Sequence, residues 1–240
     1  MAGRITPSER IVAIVPARFA SERLPGKPLA DIAGIPMIIR VLQGIRDSVD
    51  RAVAATDDKR IMDAVDNAGF EVVYTGEAAS GTHRVFKAWS LLGFPGETII
   101  NVQGDEPLVN KDWISSLTAV PSEDDQVITL ARRIPAELAG SPDSVKVVIN
   151  DRQEALYFSR YPIPYKASIL LEHIGIYSFS PASLRSCAAA GNTSLSRTER
   201  LEQLAWLERG VRIRVVTGEF RGIGVDTFDD LERAVEYFNT

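Results

Sequence analysis

The first hundred or so residues alternate short apolar runs with helically spaced stripes, and this alternation limits the possible folds more than any other feature of the chain. Residues 11–15 are apolar without a break and stop at Pro16, as in a strand covered on both faces. Over 35–45, Ile35, Ile38, Ile39, Leu42 and Ile45 fall along one side of a helix. Residues 51–55 predict a second strand, ending in Thr56-Asp57-Asp58, a helix-start signal. Ile61, Val65 and Ala68 stripe the next helix, which Gly69 stops, and strands over 71–74 and 98–102 enclose a helix over 84–92. Right-handed crossovers between such strands require a mostly parallel sheet with helices on both faces.

The later half changes character. Apolar runs at 127–131, 145–149, 155–158 and 174–179 lie close together with little helix between them. They predict a β-rich, partly antiparallel insertion, with Asn150-Asp151 marking a hairpin turn. A helix over 201–207, a strand over 211–216 and a terminal helix over 231–238 complete the pattern. The expected fold is α/β: a mostly parallel mixed sheet flanked by helices, with a small β-rich insertion. Residues 1–10 read as a flexible lead and 11–240 as one domain, of which about 126–210 includes the appendage.

Several function classes are disfavoured. A net charge of −5 argues against neutralising many nucleic-acid phosphates, so no nucleic-acid partner is expected. Cys187 is the single cysteine, which rules out an internal disulfide, and no Cys/His cluster suits zinc. Two histidines without a Ser/His/Asp order give little support to triad hydrolysis. No apolar run approaches the roughly 20 residues of a membrane span, and the start of the chain lacks a signal-peptide apolar region. A soluble, cytoplasmic protein without a membrane partner is the expectation.

Open α/β sheets bind ligands beyond the carboxyl ends of their strands. After the first strand, Ala17-Arg18-Phe19-Ala20-Ser21-Glu22-Arg23-Leu24-Pro25-Gly26-Lys27-Pro28-Leu29 sets two arginines and a lysine among glycine and proline. That suits a triphosphate, although charge alone also fits a solvated basic loop. Pro28 biases Lys27 towards extended backbone. The loop is neither a Walker phosphate loop nor a GxGxxG fingerprint. The fourth strand ends in Asn101-Val102-Gln103-Gly104-Asp105-Glu106-Pro107, and Gly224-Val225-Asp226-Thr227 precedes the last helix. Asp105 and Asp226 are candidate Mg²⁺ ligands, with Asp226 or Thr227 equally readable as a helix cap. Ser80-Gly81-Thr82-His83-Arg84 opens a helix and supplies backbone N–H groups, hydroxyls and, in Arg84, a cation, as a phosphate or base site or as a plain capping turn. His173 reads first as a structural hydrogen-bonder and Cys187 as buried filler.

These blocks, joined by Ala55-Thr56-Asp57-Asp58, Ala155-Leu156-Tyr157-Phe158-Ser159-Arg160, His173-Ile174-Gly175-Ile176-Tyr177 and Leu201-Glu202-Gln203-Leu204, occur in one order from about residue 11 onward. The ordered set resembles the 3-deoxy-manno-octulosonate (Kdo) cytidylyltransferases, or CMP-Kdo synthetases. The resemblance implies a Rossmann-like nucleotide-diphospho-sugar transferase fold, dependence on Mg²⁺, a homodimer, and the conversion of CTP and Kdo to CMP-Kdo and diphosphate for lipopolysaccharide synthesis. By matching position, Arg18, Arg23 and Lys27 would contact the CTP phosphates, and Ser80, Gly81 and Thr82 would approach the nucleotide. Asp105 and Asp226 would hold the metal. Gln103, Arg160, His173, Tyr177, Glu202 and Gln203 would line the sugar site, with Arg160 a candidate for its carboxylate. The chain departs from the family at His83, Ser196 and Ala205, where charged residues are usual, and over a short 161–171 segment. Those departures bear on dimer packing and on the choice of sugar, with a cytidylyltransferase for a related acidic sugar such as 8-amino-Kdo as the alternative. Two other readings are a transferase for another nucleotide or acidic sugar, such as a sialic-acid relative, and a catalytically silent nucleotide-binding homologue.

Overall fold

β1 (Ile11–Ala17) is the central strand of a parallel ladder, and its Val12, Ala13, Ile14 and Val15 are wholly buried. A computed structural model describes residues 10–21, 23–121 and 123–239. The flexible lead expected over 1–10 therefore lies outside the described residues except for Arg10. The N–H groups of Arg10 and Ile11 both donate to Asp50 Oδ2, at 2.9 and 2.8 Å, which ties the entry of β1 down. The chain forms two compact units: the described residues up to Ile114 with those from Gly222 onward, and Ser115–Arg221.

In the first unit the stripe expected to be helical from Ile35 begins two residues later. Asp31–Ile32 (β2) and Ile35–Pro36 (β3) pair antiparallel, and α1 runs over Met37–Ile45. A residue preceding proline is held extended, which keeps Ile35 out of the helix. β4 (Arg51–Thr56), α2 (Lys59–Asn67), β5 (Glu71–Tyr74), α3 (Gly81–Leu91) and β6 (Thr98–Asn101) follow. The strands lie in the order β6-β1-β4-β5, all parallel, with Val12 opposite both Arg51 and Ile99. α4 (Lys111–Thr118) was not foreseen. Its start is marked by Asn110, whose Oδ1 accepts the Asp112 N–H at 3.0 Å.

The second unit is the β-rich part. It contains β7 (Gln126–Pro135), β8 (Lys146–Ile149), β9 (Ala155–Ser159) and β10 (Ile169–Phe179), then α5 (Pro181–Ala189), α6 (Ser194–Glu199), α7 (Glu202–Glu208) and β11 (Arg212–Thr217). β10 runs antiparallel to β7 and β8, β8 antiparallel to β9, and β11 parallel to β7. Asn150 makes the expected hairpin turn, its Oδ1 accepting the N–H groups of Arg152 and Glu154 at 2.9 and 3.0 Å. β7 and β10 are longer than their apolar runs. Arg132 and Glu172, which lie just outside those runs, face each other across the pair and bond at 2.6 Å. Such cross-strand pairs extend a ladder past its apolar stretch.

The chain returns to the first unit at Gly222, and α8 (Phe228–Asn239) follows. Val225 and Ala234 pack with Leu24, Ile32 and Met37 in one small core. Leu24 belongs to the basic loop after β1, so this core anchors that loop beside the segment preceding α8.

Candidate active site

Lys27 Nζ donates to Asp105 Oδ2 at 2.6 Å and to Asp226 Oδ1 at 3.0 Å. Arg23 reaches the same Asp226 oxygen at 3.0 Å. Four residues from three separate stretches of sequence thus meet beyond the strand ends of the first unit. Burial works against the Lys27 charge, but the two carboxylates outweigh it and hold its pKa above the ordinary value.

Local backbone chemistry places each group. Gly26 adopts φ +68°, which an L side chain rarely takes, and a Cβ there would stand 3.2 Å from the Phe19 ring. The other partner of that ring is the Arg60 guanidinium, 3.3 Å from its centroid, while Arg60 is fixed by Asp58 at the start of α2. Lys27 opens a single 3₁₀ turn over Lys27–Leu29 and is not extended, as Pro28 had suggested. Proline is tolerated so early in a helical turn because its missing N–H has no partner to lose. After β6, a Cβ on Gly104 would lie 2.9 Å from the Pro16 carbonyl, so only glycine lets Asp105 follow this path without displacing the chain. Thr227 caps α8: its Oγ1 accepts the Asp230 N–H at 3.3 Å, and Asp230 accepts the Thr227 N–H at 2.9 Å. Thr227, and not Asp226, is therefore the cap. Its carboxylate faces Lys27 and Arg23.

Ser80 caps α3, its Oγ accepting the His83 N–H at 3.1 Å. Gly81 lies against Gln103, whose amide donates to Asn101 Oδ1 at 3.0 Å, and Asn101 in turn donates to Thr82 at 3.3 Å. Ser80, Gly81, Thr82 and Gln103 therefore form one group at the end of β6. Arg84, read as a cation available at this helix start, is instead buried. It donates to Asp57 at 2.5 Å, to Thr75 and to the Gly76 carbonyl. Arg18 is exposed just after β1.

Arg160, His173, Tyr177, Glu202 and Gln203 lie in the second unit. His173 Nε2 is 2.9 Å from Thr129 Oγ1, and its ring meets those of Phe158 and Tyr177. His173 is partly buried as a whole residue, and burial pushes its pKa down to about 3, so it is neutral at physiological pH. Tyr177 and Gln203 are almost fully buried and offer a ligand little surface. Burial raises the Tyr177 phenol and the buried Cys187 thiol, leaving neither as a ready nucleophile. Arg160 Nε donates to the Glu199 carbonyl at 2.9 Å and Nη1 to the Pro142 carbonyl at 2.7 Å.

Two polar residues near Arg160 escaped the sequence reading. Lys146, wholly buried, donates to four backbone carbonyls, and Glu199 accepts from the Arg160 N–H at 3.0 Å. The available signal was a lysine inside the apolar run 145–149.

A family model described as cytidylyltransferase matches residues 12–213. The 3-deoxy-manno-octulosonate cytidylyltransferase of Porphyromonas gingivalis is 42% identical over 246 residues, covering 96% of this chain and 97% of its own. The enzyme of the same name from Anaeromyxobacter sp. is 42% identical over 232 residues, covering 94% and 95%. A solved structure of CMP:2-keto-3-deoxy-manno-octonic acid synthetase complexed with CTP aligns with TM-score 0.87 and 36% identity, covering 96% of this chain and 98% of that one. A match of that extent in sequence and fold is inherited as a whole, and the chain belongs to the 3-deoxy-manno-octulosonate cytidylyltransferase family.

Proposed function

We propose that this protein transfers the cytidylyl group of CTP to Kdo, giving CMP-Kdo and diphosphate. The observation that carries the reading is the meeting of Lys27, Arg23, Asp105 and Asp226 at the strand ends of a chain from this family. The anomeric hydroxyl of the sugar attacks the α-phosphorus and diphosphate leaves. Little covalent work falls to the protein, so positioning and charge neutralisation dominate. Lys27, Arg23 and Arg18 neutralise the triphosphate and the charge that grows on the leaving group. Ser80, Gly81 and Thr82 approach the nucleotide. The resemblance assigns Gln103 of the first unit and His173 and Glu202 of the second to the sugar, with Arg160 receiving its carboxylate through a charge-assisted hydrogen bond, whereas the burial of Tyr177 and Gln203 gives those two a packing role.

Asp105 and Asp226 fit Mg²⁺. Both are hard oxygen donors, and the Lys27 ammonium already occupies the position of a cation between them. Bound there, Mg²⁺ would supply charge stabilisation at the reacting phosphate. Family resemblance further supports a cytoplasmic homodimer feeding lipopolysaccharide synthesis.

Diphosphate release, measured with CTP and a panel of Kdo, 8-amino-Kdo and sialic acid, tests the reading. Release that requires both CTP and Kdo is expected. A tight CTP complex with no release for any acid would contradict it, and a preference for another acid would reassign the sugar.

A further inference from the structure

The guanidinium of Arg160 is gripped by main chain. Its Nε, Nη1 and Nη2 donate to the carbonyls of Glu199, Pro142 and Arg200, at 2.9, 2.7 and 3.3 Å. Guanidinium carries five N–H groups, so this grip fixes its plane and still leaves donors for a ligand. Among the described residues no carboxylate pairs with that guanidinium.

Both jaws of the grip are themselves held. Lys146 Nζ donates to the carbonyls of Ala139 (3.1 Å), Ser141 (3.2 Å) and Ser144 (2.5 Å), which bracket Pro142, and to the carbonyl of Arg160 itself (2.7 Å). One ammonium therefore ties the loop bearing the Pro142 carbonyl to the backbone of the arginine it contacts. On the other side, the Glu199 carboxylate accepts the Arg160 N–H (3.0 Å) and the Ser159 hydroxyl (2.9 Å), so the residue whose carbonyl meets Nε is locked to the same strand end. An ammonium taken wholly out of water is costly, and here it is spent entirely on backbone oxygens. Stabilising the fold alone would not require that it span these two particular segments.

We infer that Lys146 and Glu199 are positioning residues for Arg160, fixing the guanidinium that receives the carboxylate of the acid substrate. This rests on the role given to Arg160 above. Lys146→Met and Glu199→Gln are expected to raise the KM for Kdo by about 10- to 100-fold, as loss of an orienting partner does elsewhere. The KM for CTP and the kcat at saturating Kdo should stay near the unaltered values. In a double-mutant cycle, Lys146→Met added to Arg160→Ala should raise KM no further than Arg160→Ala alone, because the lysine acts through that arginine. Should Lys146→Met fail to fold, Glu199→Gln carries the same cycle. Effects that multiply in the double variant would overturn the inference. So would unchanged KM in Lys146→Met and Glu199→Gln when Arg160→Ala raises it. An unchanged KM in Arg160→Ala would instead overturn the role of Arg160, and the inference with it.

Discussion

The backbone N–H of Val225 donates to the carbonyl of Asp105 at 2.8 Å. This bond brings two distant stretches of chain together one residue away from Asp226, so the two carboxylates are neighbours by main-chain geometry before either meets Lys27. Asp105→Asn should therefore leave the scaffold in place while removing the charge that the proposed reaction uses. A melting temperature near the original and turnover lower by on the order of 10²-fold are expected, by analogy with loss of one electrostatic contact to a transition state. Thermal unfolding and steady-state diphosphate release on the same preparation check this.

Gly104→Ala tests the close passage over β1. The new Cβ would stand 2.9 Å from the Pro16 carbonyl, a main-chain atom near the carboxyl end of β1 that has no free rotor to turn aside. Overpacking of this kind costs about 1–3 kcal/mol. The urea midpoint should fall accordingly, and an unchanged midpoint would show that the two segments are not in contact.

His173 gives the fold an acid-sensitive element. Its imidazolium pKa is about 3 when folded, against an ordinary value of 6.5, so the unfolded chain binds a proton across the intervening range and the folded chain does not. The stability this contributes is complete above about pH 6.5 and is lost as pH falls towards 3, up to roughly 4 kcal/mol. His173→Phe should flatten the fall in stability between pH 6.5 and 4 relative to the unaltered protein, as read by urea unfolding at each pH. Parallel curves would contradict the assignment.

His83 stands in the first turn of α3, where its Nδ1 accepts the Ala79 N–H at 3.3 Å. A carboxylate would serve the same N–H and also favour the positive end of the helix dipole. His83→Asp should therefore stabilise the protein, by about 0.5 kcal/mol. A lower melting temperature would show that His83 makes a contact the aspartate cannot replace.

The parallel ladder of the first unit was legible because each of its strands is an apolar run closed by a turn or helix signal. The ends of elements were less legible where polar groups find partners far away. β7 and β10 outrun their apolar cores because Arg132 and Glu172 pair across the strands, and no local pattern announces that. α6 is a short helix capped by Thr193 and Ser196, without the apolar stripe that would have marked it. Lys27, Asp105 and Asp226 were each readable as loop residues at strand or helix ends. Their convergence depends on the packing of Leu24 against Val225 and on the Val225–Asp105 bond, which sequence spacing does not contain. Arg84 looked available for a ligand and is buried against Asp57, a pairing that joins the ends of two different elements.

The most direct test measures diphosphate release from CTP by the original protein and by Lys27→Met, Asp105→Asn and Asp226→Asn at matched folded concentration, with and without Kdo and Mg²⁺. Release by the original protein only when both additions are present, with every variant slower by on the order of 10²-fold or more, is the expected result. Full-rate release by any one of the three variants would remove that residue from the reaction and break the proposed site.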